Sequence, residues 1–199
     1  MGGTGRSCRT WAGGQVIAAF LGSALFLLNS NSVQAFDRYR FERDCQKCHI
    51  LINQRVDFSK IPLDQGLVMG NVLAPWKVAV FADPDSTDSR ELQQEMEKVL
   101  QERKDIVFYI FVYPLPFHED AYWKSKSILC DKSLKMLEDA YAGKEIPRLE
   151  CDPKEVDANI RIAAALGIRW TPTLVRSDGR TRNGLMLARQ LIDFIQGSR

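Results

Sequence analysis

An uninterrupted run of eight β-favouring residues, from Ile106 to Tyr113, constrains the fold more than any other segment of this sequence. The run lacks the alternation of polar and apolar residues that marks a strand with one solvated face. It therefore predicts a strand that is covered on both faces, as in a parallel or mixed sheet. Pro114 and Pro116 end the run. The rest of the chain must supply helices for both faces of a central sheet.

The segments on both sides of this run have the sequence patterns expected of further strands and of the helices that cover the sheet. Residues 77–82 predict a shorter strand that stops at Asp83-Pro84-Asp85. An amphipathic helix is predicted next, because apolar residues recur at helical spacing after an Asp88–Glu91 capping box. The elements predicted after the central run are two helices in 119–142, a helix at 153–166, strands at 173–176 and just after the turn 177–179, and a final helix.

This order of elements predicts an α/β protein with a mixed central sheet, flanking helices and a helical insertion. Trp170-Thr171-Pro172-Thr173 lies directly before the third predicted strand. The topology and the placement of this segment resemble the thioredoxin fold, in which a cis proline lies beside the active site. The resemblance implies that Pro172 is the cis proline of this chain.

A series of short segments between Val56 and Arg199 carries a closer resemblance to a known family. These segments are Val56-Asp57-Phe58-Ser59-Lys60-Ile61-Pro62, Phe81-Ala82-Asp83-Pro84-Asp85, Pro114-Leu115-Pro116-Phe117-His118, Ala121-Tyr122-Trp123-Lys124-Ser125 and Thr171-Pro172-Thr173. In this order they resemble the periplasmic disulfide isomerases of the DsbC/DsbG type. Residues 36–62, 27 in all, are too few for the separate N-terminal dimerisation domain of those isomerases, so we do not expect their V-shaped dimer.

Serines stand where this resemblance places the catalytic cysteines. In the isomerases a Cys-x-x-Cys pair follows Asp-Pro-Asp directly, and here those two positions are Ser86 and Ser89. A hydroxyl is hardly ionised near neutral pH and forms no mixed disulfide, so it does not replace a thiol in exchange. Asp88, between the two serines, opposes any neighbouring anion. We expect a thioredoxin-like scaffold without its usual catalytic centre, which binds unfolded or partner polypeptide in the groove near Pro172.

A hydrolase is a poorer explanation of Ser86 and Ser89. The chain has two histidines, and neither serine lies in a nucleophile-elbow sequence such as Gly-x-Ser-x-Gly. Serine side chains at a helix start commonly accept hydrogen bonds from exposed backbone N–H groups. Capping of the first predicted helix therefore explains both residues better.

Two pairs of cysteines remain in the predicted mature chain. Cys130 and Cys151 are 21 positions apart, and this spacing resembles that of the structural disulfide of the isomerases. The resemblance implies a disulfide that holds the helical insertion, with no chemistry of its own. The other pair, Cys45 and Cys48, belongs to a separate motif.

Cys45-Gln46-Lys47-Cys48-His49 has the Cys-x-x-Cys-His spacing of covalent haem c attachment. Two thiols at this spacing add to the porphyrin vinyl groups, and His49 would bind the haem iron as an axial ligand. The sixth position would then hold Met69, His118 or no protein ligand. The same cysteines also fit a small disulfide, structural or redox-active, or a metal site completed by His118. Haem c, a disulfide and a metal all stay open.

Residues 1–35 have the pattern of an export signal. Arg6 and Arg9 precede an apolar run of 13 residues, Val16 to Leu28, which is too short to span a bilayer. Val33-Gln34-Ala35 suits signal peptidase, so we expect cleavage after Ala35, a periplasmic protein and no integral membrane segment afterwards. We assign residues 36–62 to an N-terminal arm that carries the Cys-x-x-Cys-His motif and 63–199 to the thioredoxin-like domain.

The charge balance excludes one class of partner. The chain has 27 Lys and Arg against 25 Asp and Glu, and Arg6 and Arg9 account for the excess. The predicted mature chain is therefore neutral. Because nucleic-acid binding depends on a basic surface, we expect no nucleic-acid partner. The expected partners are unfolded or partner polypeptide and, through the second sulfur motif, a periplasmic redox protein.

Overall fold

The computed structural model describes residues 55–197, which form a mixed five-stranded sheet with helices on both faces. The predicted signal at 1–35 and the Cys45-x-x-Cys48-His49 motif lie outside the described residues. The strands are β1 (Leu67–Gly70), β2 (Trp76–Ala82), β3 (Ile106–Val112), β4 (Thr173–Arg176) and β5 (Thr181–Asn183), and the helices are α1 (Thr87–Glu102), α2 (Ala121–Asp131), α3 (Leu134–Tyr141), α4 (Glu155–Ala165) and α5 (Ala188–Gln196).

The sheet is built around β2 and β3, which pair in parallel. Its strand order is β1-β3-β2-β4-β5, and the other three pairings are antiparallel. Every residue of β3 is buried, as the unbroken apolar run predicts. The predicted α/β architecture with a mixed sheet, flanking helices and a helical insertion is therefore confirmed.

The sheet separates the apolar core into two layers. Phe108 and Ile110 of β3 lie in the layer that also contains Leu92 of α1 and Leu191 of α5. Val107, Tyr109 and Phe111 alternate with them along the strand and lie in the other layer, against α4 and the segment before β1. The ring centroids of Phe81 and Phe111 are 5.1 Å apart in this second layer. β3 therefore supplies side chains to both cores.

Two local features differ from the sequence-based expectations. α1 begins at Thr87. Its N-cap is Ser86, which has an extended backbone and a side-chain oxygen that accepts a hydrogen bond from the Ser89 N–H. The predicted Asp88–Glu91 capping box is wrong, because Asp88 already lies inside the first helical turn. Strand β1 was not predicted, because its four residues end in glycine and show no extended pattern of their own.

The segment before β1 is packed on the domain from Val56 onward. The backbone N–H of Val56 donates to the carbonyl oxygen of Gly179 in the β4–β5 turn, at 2.8 Å. Gly179 has a φ of +85°, and a Cβ there would collide with the Val56 carbonyl oxygen, so the close approach requires glycine. Ile61 is buried in the second core layer. Between residues 55 and 197, no helix is both long and apolar enough to cross a bilayer.

Candidate functional site

The turn that follows β2 lies between two loops at one end of the sheet. β2 is flanked by β3, with Ala82 opposite Val112, and by β4, with Phe81 opposite Thr173. The backbone N–H of Tyr113 extends the first pairing by donating to the Ala82 carbonyl oxygen at 2.8 Å. Residues 83–86 therefore emerge between the 113–118 loop and the loop before β4. Ligand sites of open α/β sheets commonly form at such carboxyl ends.

The loop before β4 contains a cis peptide bond between Thr171 and Pro172. The carbonyl oxygen of Pro172 accepts a hydrogen bond from the Gly184 N–H at 2.8 Å. Thr173 Oγ1 donates to the Trp170 carbonyl oxygen at 2.7 Å. These contacts fix the loop against the end of β5. Pro172 therefore has the cis geometry and the place beside the turn that the sequence resemblance implied.

Asp83 is the fully buried residue that joins the turn to the neighbouring loop. Its Oδ1 accepts a hydrogen bond from the Asp85 N–H at 2.7 Å, and its Oδ2 accepts one from the Leu115 N–H at 2.5 Å. His118 Nδ1 lies 3.0 Å from the same Oδ2. A carboxylate out of contact with water requires such partners, because its desolvation is otherwise very costly. Asp83 therefore positions both segments.

Ser86 and Ser89 use their hydroxyl oxygens as hydrogen-bond acceptors within the turn. Ser86 Oγ accepts from the Ser89 N–H at 3.2 Å, and Ser89 Oγ accepts from the Asp83 N–H at 3.3 Å. Both side chains are buried, with Ser89 only 2% exposed. The two oxygens therefore satisfy backbone donors around the start of α1. Ser86 therefore has the capping role that the sequence analysis expected, whereas Ser89 lies inside α1 and its hydroxyl accepts from the turn that precedes the helix.

A small cavity of about 230 Å³ opens beside the start of α1. Ser86, Arg90, Lys124 and Tyr141 are among the residues that line it. Lys124 Nζ lies 2.5 Å from Asp85 Oδ1, so this cation is already paired. Burial, and secondarily the charge of Asp83, raise the pKa of the Tyr141 phenol above its ordinary value. The cavity walls thus supply an ion pair and hydroxyl groups.

The cysteines within residues 55–197 are Cys130 and Cys151, and they form a disulfide with a Cα–Cα distance of 6.1 Å. The bridge joins the last turn of α2 to the segment before α4, as the family resemblance implied. Neither sulfur is free to attack a disulfide. The described part of the chain therefore contains no free thiol.

The candidate haem residues Cys45, Cys48 and His49 lie outside the described residues. Two further candidates for ligation have other surroundings in the fold. Met69 is buried in the first core layer, and His118 Nδ1 faces the Asp83 carboxylate. Across residues 55–197 no group of three or more His, Cys, Asp and Glu side chains has the geometry of a metal site.

Sequence reasoning missed the buried role of Asp83 and the contributions of Lys124 and Tyr141 to the cavity. The sequence identifies the Asp-Pro-Asp segment as a turn signal and as a match to the isomerases, and neither observation predicts a buried carboxylate. Its first carboxylate is buried because Leu115 and His118, more than 30 positions away, supply its partners. A buried aspartate leaves no mark of its own in a single sequence.

Comparison with known proteins agrees with this geometry. The profile of the Thioredoxin-like domain family matches residues 73–197, more than half of the chain. The chain belongs to the thioredoxin-like family. A probable thiol:disulfide interchange protein DsbC from Bordetella avium is 27% identical over 138 residues, which are 68% of this chain and 48% of that protein. The chain therefore spans about half the length of this curated relative.

Solved structures extend the likeness. The disulfide interchange protein from Neisseria gonorrhoeae is 29% identical, with a TM-score of 0.60, and the match covers 69% of this chain and 97% of that one. DsbA2 from Pseudomonas aeruginosa shares the fold, with 18% identity, a TM-score of 0.57 and coverage of 67% and 95%. The thioredoxin-like fold and the homology to DsbC-like disulfide interchange proteins are thus confirmed.

Proposed function

We propose that this chain is an exported member of its family that holds polypeptide beside Pro172 and performs no thiol–disulfide exchange at Ser86 and Ser89. One observation carries the proposal: both hydroxyls accept backbone hydrogen bonds inside the turn, and the described domain has no free thiol. The exported location follows from the signal pattern at 1–35. The fold supplies the scaffold for binding, and the residues at the turn remove the usual chemistry.

Apolar side chains next to the cis-proline loop support polypeptide as the ligand. Gly184 is bonded to the carbonyl oxygen of Pro172, and the residues that follow it include Leu185, 38% exposed, and Leu187, 56% exposed. Trp170, two positions before the proline, is half-buried. Unfolded chains expose apolar side chains, so contacts with these residues give a non-specific affinity for them.

A binding measurement tests this groove directly. The probe is fluorescein-labelled α-lactalbumin that has been reduced and carboxymethylated, so that it is unfolded and has no thiol. We expect the double variant Leu185→Asp/Leu187→Asp to weaken binding by about tenfold, because two carboxylates replace apolar contacts. Leu149→Asp is the matched control, since Leu149 is 36% exposed elsewhere on the surface. Equal affinities of all three proteins contradict the proposed groove.

Enzyme assays test the absence of exchange at the turn. We expect the mature protein with Cys45→Ser and Cys48→Ser to leave the rates of insulin reduction and of scrambled ribonuclease reactivation at background. Activity that survives these two substitutions and is lost in Ser86→Ala contradicts the proposal. Activity that disappears with Cys45→Ser and is unchanged by Ser86→Ala assigns exchange to the N-terminal motif instead.

The Cys45-x-x-Cys48-His49 motif supports a second candidate function in electron transfer or redox exchange. Its spacing suits covalent haem c, and export suits both haem attachment and disulfide formation. The first described residues, Arg55 and Val56, lie against the β4–β5 turn. β4 runs antiparallel to β2, so this point of attachment is at the end of the sheet opposite to Ser86.

Intact mass of the exported protein distinguishes the forms of this motif. A haem adduct, two disulfides and free thiols each give a different mass. Covalent haem predicts, in addition, a pyridine haemochrome band from protein made in a haem-attaching host. A mass that fits two disulfides, with no such band, excludes haem and leaves redox exchange at Cys45 and Cys48 as the second candidate.

A further inference from the structure

Helices α1 and α3 flank a polar groove that consists of two adjoining cavities. The first, of about 230 Å³, lies beside the start of α1, and the second, of about 220 Å³, lies further along the same helix. Arg90 and Tyr141 line both cavities, which places the two side by side. On the α1 side the second cavity is lined by Arg90, Gln93, Gln94 and Glu97. These positions have helical spacing, so the four side chains share one face of α1.

Two buried polar groups on the walls of this groove have no hydrogen-bond partner within residues 55–197. They are the Tyr141 hydroxyl and Gln93 Oε1, in residues that are 7% and 4% exposed. Ser89 is close enough to oppose the rise in the pKa of the Tyr141 phenol, but the two hydroxyls do not meet the geometry of a hydrogen bond. Buried polar groups are nearly always paired, with protein, ligand or water. A hydroxyl donor and an amide acceptor suit a ligand that offers both an acceptor and a donor.

The two ends of the groove differ in charge. Arg90 lies towards the start of α1, where the first N–H groups of the helix have no acceptor within it and favour negative charge. Lys124 and Asp85 also line this end, as an ion pair. Glu97 and Glu138 line the second cavity. Within residues 55–197, neither these two carboxylates nor Arg90 belongs to an ion pair.

We propose that this groove binds a short peptide with free termini, its carboxylate beside Arg90 and its ammonium beside Glu97 and Glu138. Arg90 and Glu97 are seven positions apart, which is about 10 Å along the helix axis. An extended peptide of about three residues separates its terminal charges by a similar length. Its backbone carbonyl and N–H groups supply the acceptor for Tyr141 and the donor for Gln93.

Ligands with a single charge match the groove less well. A simple anion leaves the acceptor of Gln93 without a donor and lies near Asp88, which is exposed in the first turn of α1 and is not part of the groove lining. A simple cation leaves Arg90 and the start of α1 without a counter-charge. The groove shares no residue with Leu185 and Leu187 beside Pro172, so this inference and the proposed function fail independently.

Isothermal titration calorimetry of the mature protein with trialanine tests the site. We expect saturable binding at concentrations up to about 10 mM. Blocking either end of the peptide is expected to weaken binding about tenfold, because N-acetyl-trialanine lacks the ammonium and trialanine amide lacks the carboxylate. Absence of saturable binding, or equal affinities for the three peptides, overturns the proposal.

Charge variants test the direction of the peptide. We expect Arg90→Ala to weaken the binding of trialanine about tenfold and to leave that of trialanine amide unchanged. Glu97→Gln/Glu138→Gln is expected to weaken trialanine and to leave N-acetyl-trialanine unchanged. Glu91→Gln is the matched control, since Glu91 is on α1 and outside the groove lining. The opposite pattern, or the same loss in the control, contradicts the assignment.

The buried hydroxyl has a test of its own. Tyr141→Phe keeps the ring, so we expect a folded protein by urea denaturation and a roughly fivefold lower affinity for trialanine. Tyr122→Phe is the control, because the Tyr122 hydroxyl donates to Asp157 instead. Unchanged affinity in Tyr141→Phe shows that the peptide does not pair with this hydroxyl and refutes the site.

Discussion

The turn from Asp83 to Ser89 and the disulfide between Cys130 and Cys151 differ in their side-chain chemistry: the turn has serine oxygens, and the disulfide has cysteine sulfurs. At the turn, oxygen stands where the resemblance to isomerases places sulfur, and both hydroxyls accept backbone hydrogen bonds. At the bridge, sulfur is present and is consumed in a covalent link. Within residues 55–197, the cysteine sulfurs therefore occur in a disulfide that links two segments. Four variants test this contrast.

Returning sulfur to the turn has the largest expected effect. In a Cys45→Ser/Cys48→Ser background, Ser86→Cys/Ser89→Cys is expected to raise insulin reduction on the order of 1000-fold over background, because thiols at a helix N-terminus form reactive thiolates. The single variant Ser89→Cys is the control, since position 89 is buried and has no second sulfur beside it. An inactive double variant indicates that more than the two sulfurs has been lost.

Removing sulfur from the bridge has the next largest effect. We expect Cys130→Ser/Cys151→Ser to lower the free energy of unfolding by about 3 kcal/mol, because the unfolded chain loses a cross-link across 21 positions. Urea denaturation measures the change. The activity of the chain that carries cysteines at 86 and 89 is expected to persist in this background at low denaturant. Loss of that activity in a folded protein assigns the bridge a chemical role.

Changing the buried carboxylate tests what organises the turn. Asp83→Asn replaces one acceptor oxygen by a donor that opposes the Leu115 N–H or the Asp85 N–H, and we expect a loss of about 2 kcal/mol in the free energy of unfolding. Asp85→Asn is the control, because it breaks a partly exposed ion pair with Lys124 and should cost under about 1 kcal/mol. Equal losses in the two variants would refute the central role of Asp83.

Removal of the Ser86 hydroxyl is expected to have the smallest effect on the free energy of unfolding. Ser86→Ala removes the N-cap acceptor of α1, and we expect thermal unfolding to show a loss of about 1 kcal/mol. Ser86→Asp, which retains an acceptor, should recover most of that loss. Polypeptide binding is expected to be the same in all three proteins. A binding defect in Ser86→Ala shows that the hydroxyl contacts ligand as well as backbone.

The sequence predicts those parts of the fold that depend on local patterns. The run Ile106–Val112 is apolar throughout, so its burial and central place followed directly. β1 did not, because Leu67–Gly70 becomes a strand only through pairing with β3. At the site, the serines and Pro172 were found through resemblance to known isomerases. The role of Asp83 was missed, because its partners Leu115 and His118 are distant in sequence and meet it only in the fold.

The division of the interior by the sheet bears on how sequence changes combine. Phe111 and Leu92 belong to different layers, with the backbone of the strands between them. A substitution that shortens a side chain in one layer lets the neighbours in that layer relax and leaves the packing on the other face of the sheet in place. The losses in free energy of unfolding from two such substitutions, one in each layer, should therefore be nearly additive. Two substitutions within one layer share neighbouring side chains, so their losses in free energy of unfolding should not be additive. The two core layers can therefore each accept substitutions without altering the cost of substitutions in the other layer.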